Sequence, residues 1–416
     1  MTTRTETREA TGIIRKCVHC GFCTATCPTY LLLGDELDSP RGRIVLMKDM
    51  LASDAPPAPS TVKHIDRCLS CLSCATTCPS GVDYMHLIDH AREHIEATYR
   101  RPAGERLVRS VLANVLSRRR IFRFATTLAR LTRPLAGVLP RQLRAMVAAA
   151  PVSAAPRGVA DRPGIFPAIG PRVARVAMLS GCVQPVLAPS IDDAAVRLLT
   201  RHGVEVVIAR TGCCGALPHH MGKSDDARRL AKANILAWEL EITQGLDAIV
   251  VTTSGCGTTI KDYGHLFAGD AEWASRAARV AALAKDITEV MATVGLQPPV
   301  IVPGTAVAYH SACSMQHGQQ VTAQPRALLA AAGFAVREIG EGHICCGSAG
   351  TYSILQPELS TRLRDRKLAA IDRAGAAIVA TGNIGCISHL ASGGATMIHT
   401  VELLDWATGG PRPVGV

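Results

Sequence analysis

The run CLSCLSCATTCP at positions 68–79 decides the fold of the N-terminal part of the chain. An almost identical run, CVHCGFCTATCP, occupies positions 17–28. Both have the spacing C-x2-C-x2-C-x3-C-P of bacterial two-cluster ferredoxins, in which the fourth cysteine of each run binds the other [4Fe–4S] cluster. We therefore assign Cys17, Cys20, Cys23 and Cys78 to one cluster, and Cys27, Cys68, Cys71 and Cys74 to the other.

The composition is that of a globular protein whose cysteines bind metal. The chain has 416 residues, of which 48% are hydrophobic and 16 are cysteine, and this length accommodates two or three domains. Disulfide scaffolds are short secreted chains, whereas the N-terminal sequence MTTRTETREATG lacks the apolar segment of a signal peptide. We therefore expect a cytoplasmic protein without a membrane-spanning helix, in peripheral contact with the inner face of the membrane at most.

Basic charge is concentrated in residues 100–144. This segment contains twelve arginines and one acid, Glu105, and so accounts for the formal net charge of +11. Residues 107–131 place apolar side chains at a helical period. Such a helix can lie on an anionic membrane, dock on an acidic partner subunit, or cover its own domain with arginine stems. We expect no nucleic-acid partner because Phe122 and Phe124 are the only aromatic residues of the segment.

Residues 171–416 contain an internal repeat. In each copy, three short apolar runs are followed by a cysteine, a Cys-Cys-Gly sequence and a further cysteine. Strand-like runs that alternate with helical segments predict βαβ units and a parallel sheet, and such sheets bind ligands beyond the carboxyl ends of their strands. The candidate metal ligands are Cys182, Cys213, Cys214 and Cys256 in the first copy, and Cys313, Cys345, Cys346 and Cys386 in the second.

The occupant of these repeats stays open at the level of sequence. Four thiolates can bind zinc or an iron–sulfur cluster, although the adjacent cysteines favour a multi-iron core. Histidines nearby are further candidates, while a lone histidine is more often a hydrogen-bonded polar group. These histidines are His219, His220, His310, His343 and His389. Dinucleotide-binding and Walker A motifs are absent from the sequence, so we expect neither flavin nor nicotinamide, and no catalytic residue, in this chain.

The predicted fold class is α+β multidomain. A helical two-cluster ferredoxin-like domain spans residues 1–98, and an arginine-rich helical segment with a linker spans residues 99–170. Two cysteine-rich α/β domains follow at residues 171–295 and 296–416.

This combination resembles the iron–sulfur subunits that serve flavin dehydrogenases and heterodisulfide reductases. Within that group, it is most similar to the subunits of glycolate oxidase, also called glycolate dehydrogenase. Three stretches carry the resemblance. They are CVHCGFCTATCPTYLLLGDELDSPRGRIVLMKDML (17–51), HSACSMQHGQ (310–319) and ICCGSAGTYSILQPELSTRLRDRKL (344–368).

The resemblance implies a subunit that transfers electrons and has no substrate site of its own. It implies an FAD-containing partner subunit that oxidises glycolate to glyoxylate, a second flavoprotein-like partner, and quinone or another respiratory acceptor. One departure concerns the repeats, because heterodisulfide reductases end each repeat with C-x-x-C. Thr259 and His389 stand where the last cysteine would be, so the noncubane cluster of those relatives is placed in doubt, and a conventional cluster, zinc or neither stays open.

Two alternatives follow from the sequence. The first keeps the class and changes the complex to an anaerobic glycerol-3-phosphate dehydrogenase, a lactate dehydrogenase or a heterodisulfide-reductase-like assembly. The second is a metal-binding scaffold that assembles subunits without transferring electrons.

Overall fold

The computed structural model of the chain describes residues 4–53, 55–138, 147, 154–300 and 304–416. A helical N-terminal region is followed by two α/β units, which confirms the predicted fold class. The N-terminal α-helices are Arg4–Arg15, Pro28–Leu33, Pro40–Ala52, Pro59–Asp66, Ser73–Thr77 and Tyr84–Thr98, with short 3-10 turns at Phe22–Thr24 and Glu36–Asp38.

The helices of the N-terminal region begin where the sequence favours helix starts. Three of them have proline at their first position, where the missing N–H group costs no hydrogen bond. Ser39 and Asp83 accept hydrogen bonds from backbone N–H groups in the first turns of their helices. Their apolar faces enclose one core. Its fully buried members include Met47, Ile65, Leu87, Ile88 and Ile95.

The arginine-rich segment forms two helices that pack against each other, Ala103–Leu116 and Arg119–Thr132, followed by a 3-10 turn at Arg133–Val138. The helical period predicted over residues 107–131 is present, with a break between the two helices. The remainder of the segment, residues 139–146, lies outside the described residues, as do residues 148–153 of the predicted linker.

The two repeats form two sheets with the same strand order. The first sheet contains β1 (Gly164–Phe166), β2 (Ala174–Met178), β3 (Val204–Ile208), β4 (Ala248–Val251) and β5 (Ala284–Asp286). The second contains β6 (Ala306–Tyr309), β7 (Ala335–Glu338), β8 (Ile378–Thr381) and β9 (Met397–His399). The orders are β1-β3-β2-β4-β5 and β7-β6-β8-β9, and every pairing is parallel except that of β1 with β3. The predicted parallel sheets are therefore confirmed, with β1 added as an edge strand.

Helices connect these strands in both repeats. Those of the first are Gln184–Leu187, Ser190–Arg201, Ala216–His220, Ser224–Thr243, Ser254–Lys261, Tyr263–Leu266, Ala274–Leu283 and Ile287–Val294. Those of the second are Gln324–Ala331, Tyr352–Leu355, Pro357–Ala374, Ile384–Ala391 and Thr400–Ala407, with a π-helical turn at Ser314–Gly318. Within the described part of the chain, no helix is long and apolar enough to span a bilayer.

The two repeats share a core and meet at the carboxyl ends of β4 and β8. Buried residues of both sheets belong to one apolar cluster. The Ser254 N–H donates to the carbonyl of Gly382 at 3.0 Å, and the Asn383 side-chain amide donates to the Ser254 hydroxyl at 2.8 Å. The loops that carry Cys256 and Cys386 are therefore held together.

The glycine of each Cys-Cys-Gly sequence is required by the backbone. Gly215 has φ +92° and Gly347 has φ +93°, a region that side chains with a Cβ rarely adopt. A Cβ atom would lie 3.0 Å from the Ala227 carbonyl oxygen in the first repeat and 2.6 Å from the Ser360 carbonyl oxygen in the second. The glycine lets the long helix of each repeat, Ser224–Thr243 or Pro357–Ala374, pack directly against the cysteine pair.

Candidate functional site

The first predicted ligand set lies at the surface of the N-terminal region. Cys17, Cys20, Cys23 and Cys78 line one cavity, together with Cys74 of the other set. Cys20 is exposed and the other three are half-buried. Burial raises the pKa of the Cys23 thiol to about 11. Thiols in such a site become thiolates only when a cation compensates their charge, as a bound metal does.

The second predicted set lies deeper. Cys27, Cys68 and Cys74 are buried, and Cys71 is half-buried. Burial raises the pKa values of the Cys71 and Cys74 thiols, and neighbouring thiols of the set raise that of Cys74 further. Thiols this close together, shielded from water, fit a compact inorganic core with several metal ions.

A buried arginine stands beside the second set. The Arg43 side chain is 1% exposed, and its Nη1 atom lies 3.9 Å from Cys27 Sγ. Its Nη2 atom donates to the Thr29 hydroxyl at 2.9 Å and to Asp38 at 3.3 Å. Burial lowers the pKa of Arg43, but its interactions with the ionisable groups of Cys68, Tyr84, Cys27 and Asp38 outweigh burial and the pKa is raised.

This cation was not identified from the sequence. It lies in the stretch DSPRGR (residues 38–43), whose spacing alone does not show which arginine turns inward. Asp38, which is fully buried, also pairs with Arg67 at 2.7 Å and with His64 at 3.0 Å. The carboxylate therefore has other partners as well as Arg43.

The second set faces the second repeat. Leu69 and Cys71 belong to one apolar cluster with Cys313, Ile344 and Cys345. Next to burial, the Cys313 thiol contributes most to the raised pKa of Cys71. Cysteines that are more than 240 positions apart in the chain are thus neighbours in the fold.

The N-terminal region contacts the first repeat through charged groups instead. Asp89 pairs with His219 at 3.3 Å and with His220 at 3.4 Å. Two carboxylates hold His86, those of Asp83 at 2.6 Å and Asp262 at 2.9 Å. His219 and His220, which the sequence offered as candidate ligands, are therefore engaged in ion pairs across this interface.

In the first repeat, the four cysteines lie at the carboxyl ends of β2, β3 and β4. Hydrogen bonds from Cys182 and Cys214 lower the pKa of Cys213, and they raise the pKa values of the two donors. The pair is fixed from outside, because the Asn234 amide donates to the Cys213 carbonyl at 3.0 Å and the Tyr263 hydroxyl to the Cys214 carbonyl at 2.7 Å. Cys256 lies in the first turn of its helix.

In the second repeat, all four cysteines are buried. The Sγ atoms of Cys346 and Cys386 are 3.5 Å apart, and hydrogen bonds from Cys345 and Cys386 lower the pKa of Cys346. Lys367 is buried beside these thiols, its Nζ atom donates to the Glu341 carbonyl at 2.7 Å, and burial lowers its pKa.

The three histidine candidates of the second repeat have different surroundings. His343 is exposed. His389 Nε2 lies 3.2 Å from the Ser360 hydroxyl, which gives this ring a hydrogen-bond partner. His310 is buried, and one of its ring nitrogens lies within 4.8 Å of the Sγ atoms of Cys346 and Cys386. Only His310 of the three therefore joins the cysteines as a possible ligand.

The arginine-rich segment has one face on the protein and one in solvent. Arg119 donates to the carbonyl oxygens of Ala160 and Ser180 at 2.6 and 3.0 Å. On the opposite face of the same helix, the exposed fractions of Phe124, Leu128 and Leu131 are 71%, 50% and 74%. Arginine stems thus cover the first repeat, while an apolar stripe faces outward.

Comparisons with known proteins identify the two kinds of domain. The family of 4Fe-4S dicluster domains matches residues 13–82, and the family of cysteine-rich domains matches residues 176–261 and 307–391. The chain therefore holds [4Fe–4S] clusters, as the sequence predicts. A crystal structure of a hypothetical protein from Helicobacter pylori shares the fold, with a TM-score of 0.57 at 9% identity over 99% of this chain and 74% of that chain.

The similar proteins include two that match along almost their entire length. The glycolate oxidase iron–sulfur subunit of Escherichia coli is 42% identical, covering 96% of this chain and 95% of that protein. The probable glycolate oxidase iron–sulfur subunit of Bacillus subtilis is 33% identical with the same coverage. Lactate utilization protein A of Bacillus subtilis is 27% identical over 52% of this chain and 90% of that protein. The chain belongs to the family of glycolate oxidase iron–sulfur subunits.

Proposed function

We propose that this chain transfers electrons in a complex whose FAD-containing subunit oxidises glycolate to glyoxylate. The observation that carries the proposal is the convergence of two interleaved cysteine sets in the N-terminal region, in a chain 42% identical to the Escherichia coli subunit. The complex contains a second flavoprotein-like subunit and delivers electrons to a quinone. This chain contributes no residue to the glycolate site.

The ligands of the two clusters are the two sets assigned from the sequence. Their arrangement fits the groups, because burial opposes free thiolates at Cys23, Cys71 and Cys74 and metal binding supplies the compensating charge. When bound, the clusters supply one-electron carriers. Arg43 places a fixed positive charge beside Cys27, and the surrounding apolar side chains exclude water from the second set.

The partner flavoprotein docks at the exposed first set. Cys20 is exposed, and the side chains of Val18 and Phe22 on either side of it are 68% and 63% exposed. Apolar side chains at an exposed tip are typical of docking surfaces. Contact at this loop brings a partner directly to the cysteines of the first set, whereas the second set is covered by the second repeat.

The outward face of the helix Arg119–Thr132 binds the cytoplasmic membrane surface, where the quinone resides. Phe124, Leu128 and Leu131 provide the apolar stripe, and the exposed Arg120 lies one turn before Phe124. Apolar side chains with arginine at their edge match the interface of an anionic bilayer. The protein is then a cytoplasmic one that attaches to the inner face of the membrane.

Cys71→Ser in the reconstituted complex tests the electron-transfer role. We expect glycolate to reduce the flavin at the normal rate, while reduction of quinone or dye is lost, because the second cluster lacks a ligand. Thr26→Ser is the control, since Thr26 lies between Cys23 and Cys27 of the other cysteine run and the change keeps the hydroxyl. A Cys71→Ser complex that assembles and retains full quinone and dye reduction would favour the scaffold alternative.

Binding to vesicles tests the membrane surface. The double change Phe124→Ser and Leu131→Ser removes the apolar contact, and we expect binding to vesicles with anionic lipid to fall at least tenfold. Val173→Ser is the control, because Val173 is also an exposed apolar residue but lies at the edge of the first repeat. Arg120→Gln weakens binding chiefly at low salt, since salt screens exposed charges. Unchanged binding in the double variant contradicts this part of the proposal.

A further inference from the structure

His310 is a buried histidine with an unused ring nitrogen. The residue follows β6 directly and is 1% exposed, its side chain interacts with the Cys346 thiol, and its Nε2 atom has no further hydrogen-bond partner among the described residues. A buried polar atom without a partner costs free energy. Other buried side chains of this structure, such as Trp238, also have an unpartnered atom, and His310 differs from them in lying beside two thiols.

The neighbours of His310 are metal ligands in type and in spacing. A ring nitrogen of His310 and the Sγ atoms of Cys346 and Cys386 lie within 4.8 Å of one another, and the two sulfurs are 3.5 Å apart. With zinc bonds of about 2.3 Å to sulfur and about 2.0 Å to nitrogen, tetrahedral ligand atoms stand about 3.3–3.8 Å apart. Ligands around a four-iron core are separated by the core itself and stand farther apart.

The first repeat lacks this nitrogen. His310 precedes Cys313 by three residues, and the residue three positions before Cys182 is Leu179, which packs in the apolar core of the first repeat. The repeats differ on the facing helix too, where Lys367 lies near the thiols of the second repeat. A buried cation there offsets part of the negative charge of several thiolates.

We propose that the second repeat binds a single metal ion in tetrahedral coordination through His310, Cys346 and Cys386. This set of ligands favours zinc. The fourth position falls to Cys313 or Cys345, which are both buried in the same repeat. Mixed nitrogen and sulfur ligands in tetrahedral geometry are typical of structural zinc. Such an ion does not change oxidation state, so it stabilises the second repeat without extending the electron route beyond the N-terminal region.

The experiment measures metal in the anaerobically purified complex, expressed with both zinc and iron in excess. Zinc and iron contents and zinc-edge X-ray absorption are recorded for the wild type, for His310→Gln and for His202→Gln. His202 is the control because it is a buried histidine of the first repeat whose ring bonds to the Leu198 carbonyl and the Gln297 N–H.

We expect a wild-type zinc spectrum with nitrogen and sulfur neighbours. His310→Gln is expected to lose zinc to a chelator at least tenfold faster than the wild type and His202→Gln do, while the iron of the two clusters is retained. A sulfur-only zinc spectrum, the absence of zinc, or iron beyond two clusters that disappears in His310→Gln would each overturn the proposal. If His310→Gln does not fold, the wild-type spectrum alone decides. Loss of the proposed electron-transfer role would leave these zinc measurements unaffected.

Discussion

The charge of Arg43 gives a quantitative test of the second cysteine set. Arg43→Met keeps a long apolar side chain and removes the cation that lies 3.9 Å from Cys27 Sγ. Reduction adds negative charge, which a nearby cation stabilises. We therefore expect the reduction potential of the cluster held by Cys27 to fall in this variant, while that of the other cluster stays unchanged.

The magnitude follows from the distances. Two unit charges at about 4 Å interact by about 4 kcal/mol at an effective dielectric constant of about 20. The added electron is spread over the cluster, and the Asp38 carboxylate, 3.3 Å from Arg43, opposes the cation. We therefore take about one third of that energy, roughly 1.4 kcal/mol, which is equivalent to about 60 mV for one electron.

The assay is an anaerobic redox titration followed by EPR. Arg43→Lys keeps the positive charge, although not the guanidinium fork, and is expected to lower the potential less than Arg43→Met does. Arg41→Met is the matched control. Arg41 lies near the first set and pairs with Glu36 in a partly exposed ion pair, so solvent screens its charge.

Protein stability is the competing effect of this substitution. Removing one member of a buried ion-pair network costs about 3–5 kcal/mol, although Asp38 keeps Arg67 and His64 as partners. Iron content and circular dichroism therefore accompany each titration. A folded Arg43→Met protein with full iron and a shift below about 15 mV, or a shift to higher potential, would refute the reasoning.

Three further predictions concern stability. His86 has a pKa of about 10, because hydrogen bonds to Asp262 and Asp83 outweigh burial, and its stabilising effect is therefore complete below pH 6.5 and lost as pH rises through 10. The free energies of urea unfolding of the wild type and His86→Gln should differ by about 2 kcal/mol at pH 6 and by almost nothing at pH 10.5. A difference that does not depend on pH contradicts the assignment. Gly347→Ala should lower the melting temperature far more than Gly245→Ala, because both have positive φ but only Gly347 has a backbone atom at 2.6 Å from the added Cβ; equal effects would exclude the steric explanation. Asp405→Asn should lower the free energy of unfolding by about 3 kcal/mol, since the buried carboxylate of Asp405 pairs with two arginines of the first repeat. If chemical denaturation shows a decrease of less than about 1 kcal/mol, this pairing contributes little to stability.

Local sequence was sufficient for the parts of the fold that local rules determine. The spacing of the cysteine runs is set by the size of the cluster that they enclose, and the alternation of short apolar runs with helices predicts parallel sheets. The strand ends that carry Cys182, Cys256, Cys313 and Cys386 followed from the same pattern.

Contacts between distant segments were not predictable in this way. Cys71 and Cys313 meet because the N-terminal region packs on the second repeat, and no period or motif encodes that packing. Arg43 is buried because His64, Thr29 and Asp38 receive its hydrogen bonds, although the sequence presents it among other arginines. His310 was among five candidate histidines in the sequence, and only the fold shows that it, rather than His343 or His389, lies beside Cys346 and Cys386.

The N-terminal region contacts the two repeats through interfaces of different chemistry. This difference determines which of the two interfaces persists when salt concentration or pH is raised. Its contact with the first repeat consists of ion pairs such as Lys223 with Glu96 at 2.6 Å and His219 with Asp89 at 3.3 Å, which weaken with salt and with pH. Its contact with the second repeat is mainly apolar around Leu69 and Cys313, with hydrogen bonds at Thr76 and Leu32, and apolar burial has no charge that salt screens or pH titrates. High salt and high pH therefore loosen the first interface before the second, and the cysteines of the second set keep their place against the second repeat.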